Sequence, residues 1–275
     1  VLKQRLLTAA VLIPLVVWGI IGLSNATLGY ILALFVLIGA WEWARLIGLQ
    51  ATPARLGYAL LIALLLGALH YMIESLPDTV FYVLLLAGFW WLVGTGWVLA
   101  YKGGGLTAND APIGAFAGVL VLVPTWLALT RIHAFTTAGP YLMLYVIVLM
   151  WFADSGAYFA GRKLGRHKLA PRVSPGKTIE GVVGGLIAAG IYALICALYF
   201  ELPALGVIGF VALSLVVVLF SVVGDLFESL FKRRVGVKDS GQLLPGHGGM
   251  LDRIDSLTAA APVFALGLSL FEGMR

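Results

Sequence analysis

The chain has 275 residues, of which 61% are apolar and only 11% charged, with a mean hydropathy of +1.02 and a formal net charge of +5. A soluble domain is nearer half apolar and a quarter charged, so a soluble globule, a disordered chain, a collagen and a disulfide scaffold are all excluded. The apolar runs are long and unbroken rather than alternating over about ten residues, which excludes a β-barrel and leaves an all-α polytopic membrane protein.

Runs of spanning length, ~20 residues, are predicted over residues 6–23, 26–47, 57–73, 79–100, 113–130, 140–160, 179–200, 204–230 and 257–272, nine helices in chain order. The first follows Lys3 and Arg5. It is too long for a signal-peptide core and has no small-x-small cleavage site, so it reads as a span. With the N-terminus cytoplasmic, the inside segments hold 16 of the Lys and Arg residues and the outside segments hold only Arg131 and Arg275. This positive-inside bias supports the odd helix count and puts the C-terminus outside. The basic excess therefore belongs to cytoplasmic loops and anionic headgroups, not to nucleic acid. The single cysteine, Cys196, lies in an apolar run and reads as a small hydrophobe.

Two segments interrupt the apolar pattern, about 161–178 and 233–254, and both fall on the inside. The other connections are short, so the chain reads as a single membrane-embedded catalytic domain with its chemistry at the cytoplasmic face of the cell membrane. No internal repeat is visible, which counts against an inverted-repeat transporter.

The eighth run ends in Gly224-Asp225-Leu226-Phe227-Glu228-Ser229-Leu230-Phe231-Lys232-Arg233. At ~100° per residue, Asp225, Glu228, Ser229 and Lys232 share one face and the apolar residues the other. Such a stripe at headgroup level either binds something or pairs within itself, Asp225 with Ser229 and Glu228 with Lys232. After it come Lys238-Asp239-Ser240-Gly241, Pro245-Gly246-His247-Gly248-Gly249 and Asp252-Arg253-Ile254-Asp255. Glycines let backbone N–H groups approach an anion, and carboxylates three residues apart at a helix start project to one side. Asp225, Asp252 and Asp255 could form one site for Mg²⁺ shared with substrate phosphates; alternatively, Asp252 or Asp255 only caps the ninth helix. Zinc is disfavoured by one Cys and four scattered His residues.

In the other polar segment, Ser174-Pro175-Gly176-Lys177-Thr178 opens a helix as half a phosphate-binding loop would. It lacks the preceding glycine and strand of a P-loop, and a basic loop that only enforces topology is the alternative. Asp154, six residues before the end of the sixth run, is an acid within a span and reads as functional or as a partner of Arg162 or Lys163. Gly181 and Gly185 mark a helix-packing face. Glu42 and Arg45, three apart near a helix end, read as an ion pair.

The run Ser229-x₂-Lys232-Arg233-x₄-Lys238-Asp239-x-Gly241-x₃-Pro245-x-His247-Gly248-Gly249-x₂-Asp252-Arg253-x-Asp255 resembles the signature of the phosphatidate cytidylyltransferase family. Asp154-x₂-Ala157-Tyr158-x₂-Gly161-Arg162 and Ser174-Pro175-x-Lys177-Thr178-x-Glu180-Gly181 resemble its other segment. The resemblance implies an integral enzyme that joins CTP to phosphatidic acid in the lipid bilayer, giving CDP-diacylglycerol for phospholipid synthesis and releasing pyrophosphate. It implies a requirement for Mg²⁺, alone or with a second cation, held by Asp225, Asp252 and Asp255, and the family includes homodimers. Lys232, Arg233, Lys238 and Lys177 are the candidates for phosphate charge. Ser174, Thr178, Asp239, His247, Gly248 and Gly249 complete the candidate nucleotide and phosphate set. The rivals are a CTP-dependent lipid kinase, which would release CDP, and a transporter, which would carry its charges near the midplane of several helices.

Overall fold

The structure, a computed structural model, describes residues 13–107, 110–243 and 248–273. Among these residues run α1 (Ile13–Gly22), α2 (Asn25–Leu46), α3 (Thr52–Ser75), α4 (Thr79–Ala100), α5 (Asp110–Ala134) and α6 (Gly139–Leu164). A hairpin of β1 (Lys168–Ala170) and β2 (Ser174–Thr178) follows, then α7 (Ile179–Tyr199), α8 (Ala204–Arg234) and α9 (Leu251–Gly273). Eight helices, α2 to α9, are long and apolar enough to cross a membrane. The shorter α1 falls within the first predicted span, whose beginning, with Lys3 and Arg5, lies outside the described residues. The expected all-α membrane architecture is what the chain forms.

Local signals set several helix starts. Ser24 caps α2 by accepting a hydrogen bond from the Thr27 N–H at 3.2 Å, and α3 and α6 begin on prolines, whose missing N–H costs nothing in a first turn. α5 is the central helix: 72% of its apolar stretch is buried, against 22% for α3 at the periphery. It packs against α2 and α9, with the Trp43 indole N–H donating to the Gly114 carbonyl at 2.9 Å and the Trp126 indole N–H to that of Gly29 at 2.8 Å. The apolar face of α8 joins this core through Phe227 and Phe231, whose rings lie 6.2 and 4.7 Å from that of Trp43.

Helix ends differ from the hydropathy reading in one consistent way. α3, α5 and α9 begin before their predicted spans, and α6 and α8 run four residues further. Hydropathy stops at the first charge, whereas the backbone ladder continues through the headgroup zone. With 31 residues, α8 is about 46 Å long and exceeds the ~30 Å hydrocarbon slab, so its last turns emerge from it. The segment expected as a loop over 161–178 is instead the last turn of α6 followed by the antiparallel hairpin, with Lys168 opposite Thr178 and Ala170 opposite Ser174.

The closest helix contact is that of α6 with α7, and small residues allow it. Gly181 and Gly185 are buried, as the spacing predicted, and a Cβ at Gly185 would stand 2.8 Å from the Ala153 carbonyl oxygen. Gly184 carries the same load, since its Cβ would overlap that of Ala160. Gly184→Leu is therefore expected to destabilise the bundle by about 1–3 kcal/mol. Gly57→Ala, where nothing lies within 4 Å, should not; thermal unfolding in detergent measures both.

Candidate functional site

The charged ends of α6, α7, α8 and α9 meet at one end of the bundle, and α8 supplies the axis. Asp225, Glu228, Ser229 and Lys232 share one face of it, as the spacing predicted. The internal pairs both form: the Ser229 hydroxyl donates to Asp225 at 3.3 Å, and the Lys232 ammonium lies 3.4 Å from Glu228. The same stripe also reaches outward. Asp225 pairs with Lys177 from β2 at 2.6 Å, and Lys232 donates to Asp252 at the start of α9 at 2.7 Å. The α8 residues of these two ion pairs are seven apart, about 10 Å along its axis.

Asp252 collects four donors. Its Oδ1 accepts from Lys232, while its Oδ2 accepts from the Ser240 N–H and hydroxyl, both at 2.9 Å, and from the Gly249 N–H at 2.8 Å. The glycines of this segment thus bring a backbone N–H onto the chain's own carboxylate. Gly248, at φ +82°, takes a left-handed turn next to it, and a Cβ there would stand 2.7 Å from Oδ2. Asp255 lies one turn further along α9, half-buried, accepting from the Ser256 N–H at 2.7 Å. Lys238 and Asp239 are exposed at the rim, and His247 lies outside the described residues.

The hairpin is fastened at both ends. The Glu180 carboxylate, in the first turn of α7, accepts from the backbone N–H groups of Arg166 and His167 and sits 2.6 Å from the His167 ring Nδ1. Arg233 donates from Nε to the Val173 carbonyl at 3.0 Å, tying the hairpin turn to α8. Ser174 begins β2, and the Thr178 hydroxyl caps α7 by accepting from the Gly181 N–H at 3.1 Å. Between α6, α7 and α8 lies a cavity of about 370 Å³ whose lining includes Asp154, Tyr158, Arg162, Lys177, Thr178 and Ser221. Asp154 faces Lys177 and Asp225 electrostatically rather than pairing with Arg162, which donates to the Tyr158 hydroxyl at 2.8 Å.

Five carboxylates, Asp154, Asp225, Glu228, Asp252 and Asp255, therefore gather about two lysines, Lys177 and Lys232. Both Glu228 oxygens are buried without a hydrogen-bond donor, beside a void of about 10 Å³ that Asp255 and Trp91 also line. This excess of negative charge fits a hard cation. Among the described residues no group of three or more His, Cys, Asp or Glu side chains is placed to hold a metal ion by itself. A cation such as Mg²⁺ that keeps most of its waters and is shared with substrate phosphates needs no such group.

Sequence reasoning missed Glu42. The expected pair with Arg45 does not form; Glu42 is 4% exposed and turns instead to the segment before α9. Its carboxylate accepts from the Met250 N–H at 3.0 Å, the Leu251 N–H at 2.9 Å and the Ser240 hydroxyl at 3.1 Å. The one available signal was an acid beside two tryptophans in an otherwise apolar run. Asp110 was also passed over; it receives Arg234 at 2.6 Å and anchors α5 to the end of α8.

The profile of the cytidylyltransferase family matches residues 3–271. A Pseudomonas aeruginosa protein named phosphatidate cytidylyltransferase is 46% identical over 266 residues, covering 96% of each chain. Proteins of the same name from Haemophilus influenzae and Thermotoga maritima are 40% and 34% identical, covering 96% and 99% of this chain and 97% and 98% of their own. The chain belongs to the cytidylyltransferase family.

Removing one partner of a buried pair leaves the other charge uncompensated. Lys232→Met, which strands Glu228 and Asp252, is expected to cost about 3–5 kcal/mol of stability. The exposed Lys238→Met is expected to cost less than about 0.5 kcal/mol. Thermal unfolding of the two variants side by side reads the difference.

Proposed function

We infer that this member of the cytidylyltransferase family transfers the cytidylyl group of CTP to phosphatidic acid, forming CDP-diacylglycerol for phospholipid synthesis and releasing pyrophosphate. The observation that carries the reading is Lys177, which lines the cavity between three membrane helices and pairs at 2.6 Å with Asp225 of α8. It puts a cation and an acid at the level where α8 leaves the apolar slab, the depth of a phospholipid headgroup. The acyl chains stay in the bilayer and the phosphate alone enters. We place this end of the bundle at the cytoplasmic face, on the asymmetry of Lys and Arg along the chain.

The reaction needs little proton transfer. A phosphatidate oxygen, already anionic, attacks the α-phosphorus of CTP in line; the new P–O bond forms as the bond to the β-phosphate bridging oxygen breaks, and pyrophosphate leaves. The barrier is chiefly the approach of two anions. Lys177 and Arg162 are assigned to the lipid phosphate, because both line the cavity. Lys232, Arg233 and Lys238 are assigned to the triphosphate, with Ser174, Asp239, His247 and Gly248–Gly249 around the nucleotide. Thr178 contributes by fixing the start of α7 under Lys177. Asp225, Asp252 and Asp255 would hold Mg²⁺, which when bound neutralises the reacting and leaving oxygens. For Asp252 this requires Lys232 to yield Oδ1.

Purified full chain in lipid vesicles with phosphatidic acid, Mg²⁺ and CTP labelled at either the α or the γ phosphate tests the reading. The expected result is α label in the lipid and γ label released as pyrophosphate. Label from the γ position in the lipid, or no labelled lipid, overturns it. Lys177→Met removes one of the two cations that line the cavity and breaks the ion pair of Asp225; its kcat/KM for phosphatidate is expected to fall about 100-fold or more, as when one charge-stabilising donor is lost. Chelation of Mg²⁺ by excess EDTA is expected to abolish transfer, with recovery on adding Mg²⁺ back.

A further inference from the structure

Glu42 lies on α2, far in sequence from every motif of the site, and among the described residues it hydrogen-bonds none of the groups assigned to substrate, though it packs against Gly249. It nevertheless accepts three hydrogen bonds. Its two oxygens take the Met250 and Leu251 N–H groups, the amides that begin α9, and the Ser240 hydroxyl. Those amides have no partner within the helix, so a buried anion there meets both a hydrogen-bond need and the positive end of the helix dipole. The Ser240 hydroxyl is also within 2.9 Å of Asp252 Oδ2, so one hydroxyl lies between the two carboxylates. The fit is close on every side. A Cβ on Gly241 would collide with Glu42, and one on Gly249 would stand 2.5 Å from Glu42 Oε2.

We propose that Glu42 is a positioning residue for cytidylyl transfer: it clamps Ser240, Met250 and Leu251 onto α2, and so holds Asp252 in register with Lys232. The assignment rests on the cytidylyl-transfer reading above. Lys177 belongs to β2 and the cavity to α6, α7 and α8, with whose described residues Glu42 forms no hydrogen bond or ion pair. Loosening the clamp therefore disturbs the geometry at α9 and spares the entry of the lipid phosphate.

The test uses the full chain in lipid nanodiscs, with rates expressed per folded protein. Glu42→Gln keeps the side-chain volume but turns an NH₂ toward donors. Its kcat is expected to fall about 10- to 100-fold, the scale of an ångström-level misplacement. Its KM for phosphatidate is expected to stay within about twofold, the pattern of an interaction lost only in the transition state. A purely structural role would lower the folded fraction and leave kcat per folded molecule unchanged; that result, or a wild-type kcat, overturns the proposal. Should Glu42→Gln not fold, Ser240→Ala decides: it keeps both backbone bonds to Glu42 and cuts the shared hydroxyl, and a wild-type kcat overturns the proposal. Should the wild-type chain transfer no cytidylyl label, the activity reading fails by itself. Amide exchange at Met250 and Leu251 then judges the clamp, faster exchange in Glu42→Gln supporting it and unchanged exchange overturning it.

Discussion

Lys232 sits in the last turns of α8, with Glu228 one turn before it and Asp252 opposite it on α9. Taking these charges out of water is unfavourable unless each has a partner, and that requirement fixes the end of the bundle. The Lys232–Asp252 bond sets the axial register of α9 against α8. Asp252 then draws in Ser240 and Gly249. Glu42 holds Ser240 and the Met250 and Leu251 amides from the other side, and through them α2 joins the arrangement. The carboxylate excess that remains, with Glu228 facing only the Lys232 ammonium at 3.4 Å, leaves the interior of this cluster negative beneath a basic rim. Such a field suits a multivalent cation brought in with polyphosphate.

A second constraint shapes the space beside that cluster. α6 and α7 approach as closely as backbone atoms permit, because glycine and alanine line both faces of the contact. The hairpin between them is consequently short, and Glu180 and Arg233 fasten it to α7 and α8. Lys177 at the end of β2 is thereby carried to Asp225. Rigid small-residue packing on one side and an ion pair on the other leave a cavity open between helices.

The polar segments show how far residue spacing can be read. The stripe on α8 was legible because a helix has a fixed period, and Asp225, Ser229, Glu228 and Lys232 fall where that period puts them. The partners of the stripe were not legible, since Lys177 and Asp252 reach it from other elements, β2 and α9. The glycines of the second segment were read as donors to a bound anion; Gly249 instead donates to Asp252, an anion of the chain itself. Both uses need the same residue type, and only the placement of Asp252 separates them. The hairpin was read as a loop because three- and five-residue strands, one of them containing Ser174-Pro175-Gly176, carry no strand pattern.

What the sequence determined alone is what depends on sums and periods along the chain. The apolar runs are long enough to cross a bilayer whatever they pack against, and the clustering of Lys and Arg in two segments marks the end where chemistry is concentrated. The motifs within those segments carry the family. The tertiary structure decided every pairing between distant residues: Lys177 with Asp225, Lys232 with Asp252, Arg234 with Asp110, and Glu42 with Ser240 across 198 residues. The physical reason is that a buried charge must find its counter-charge in space. Which helix supplies it depends on how helices of similar hydropathy pack, and hydropathy along one chain does not encode that order.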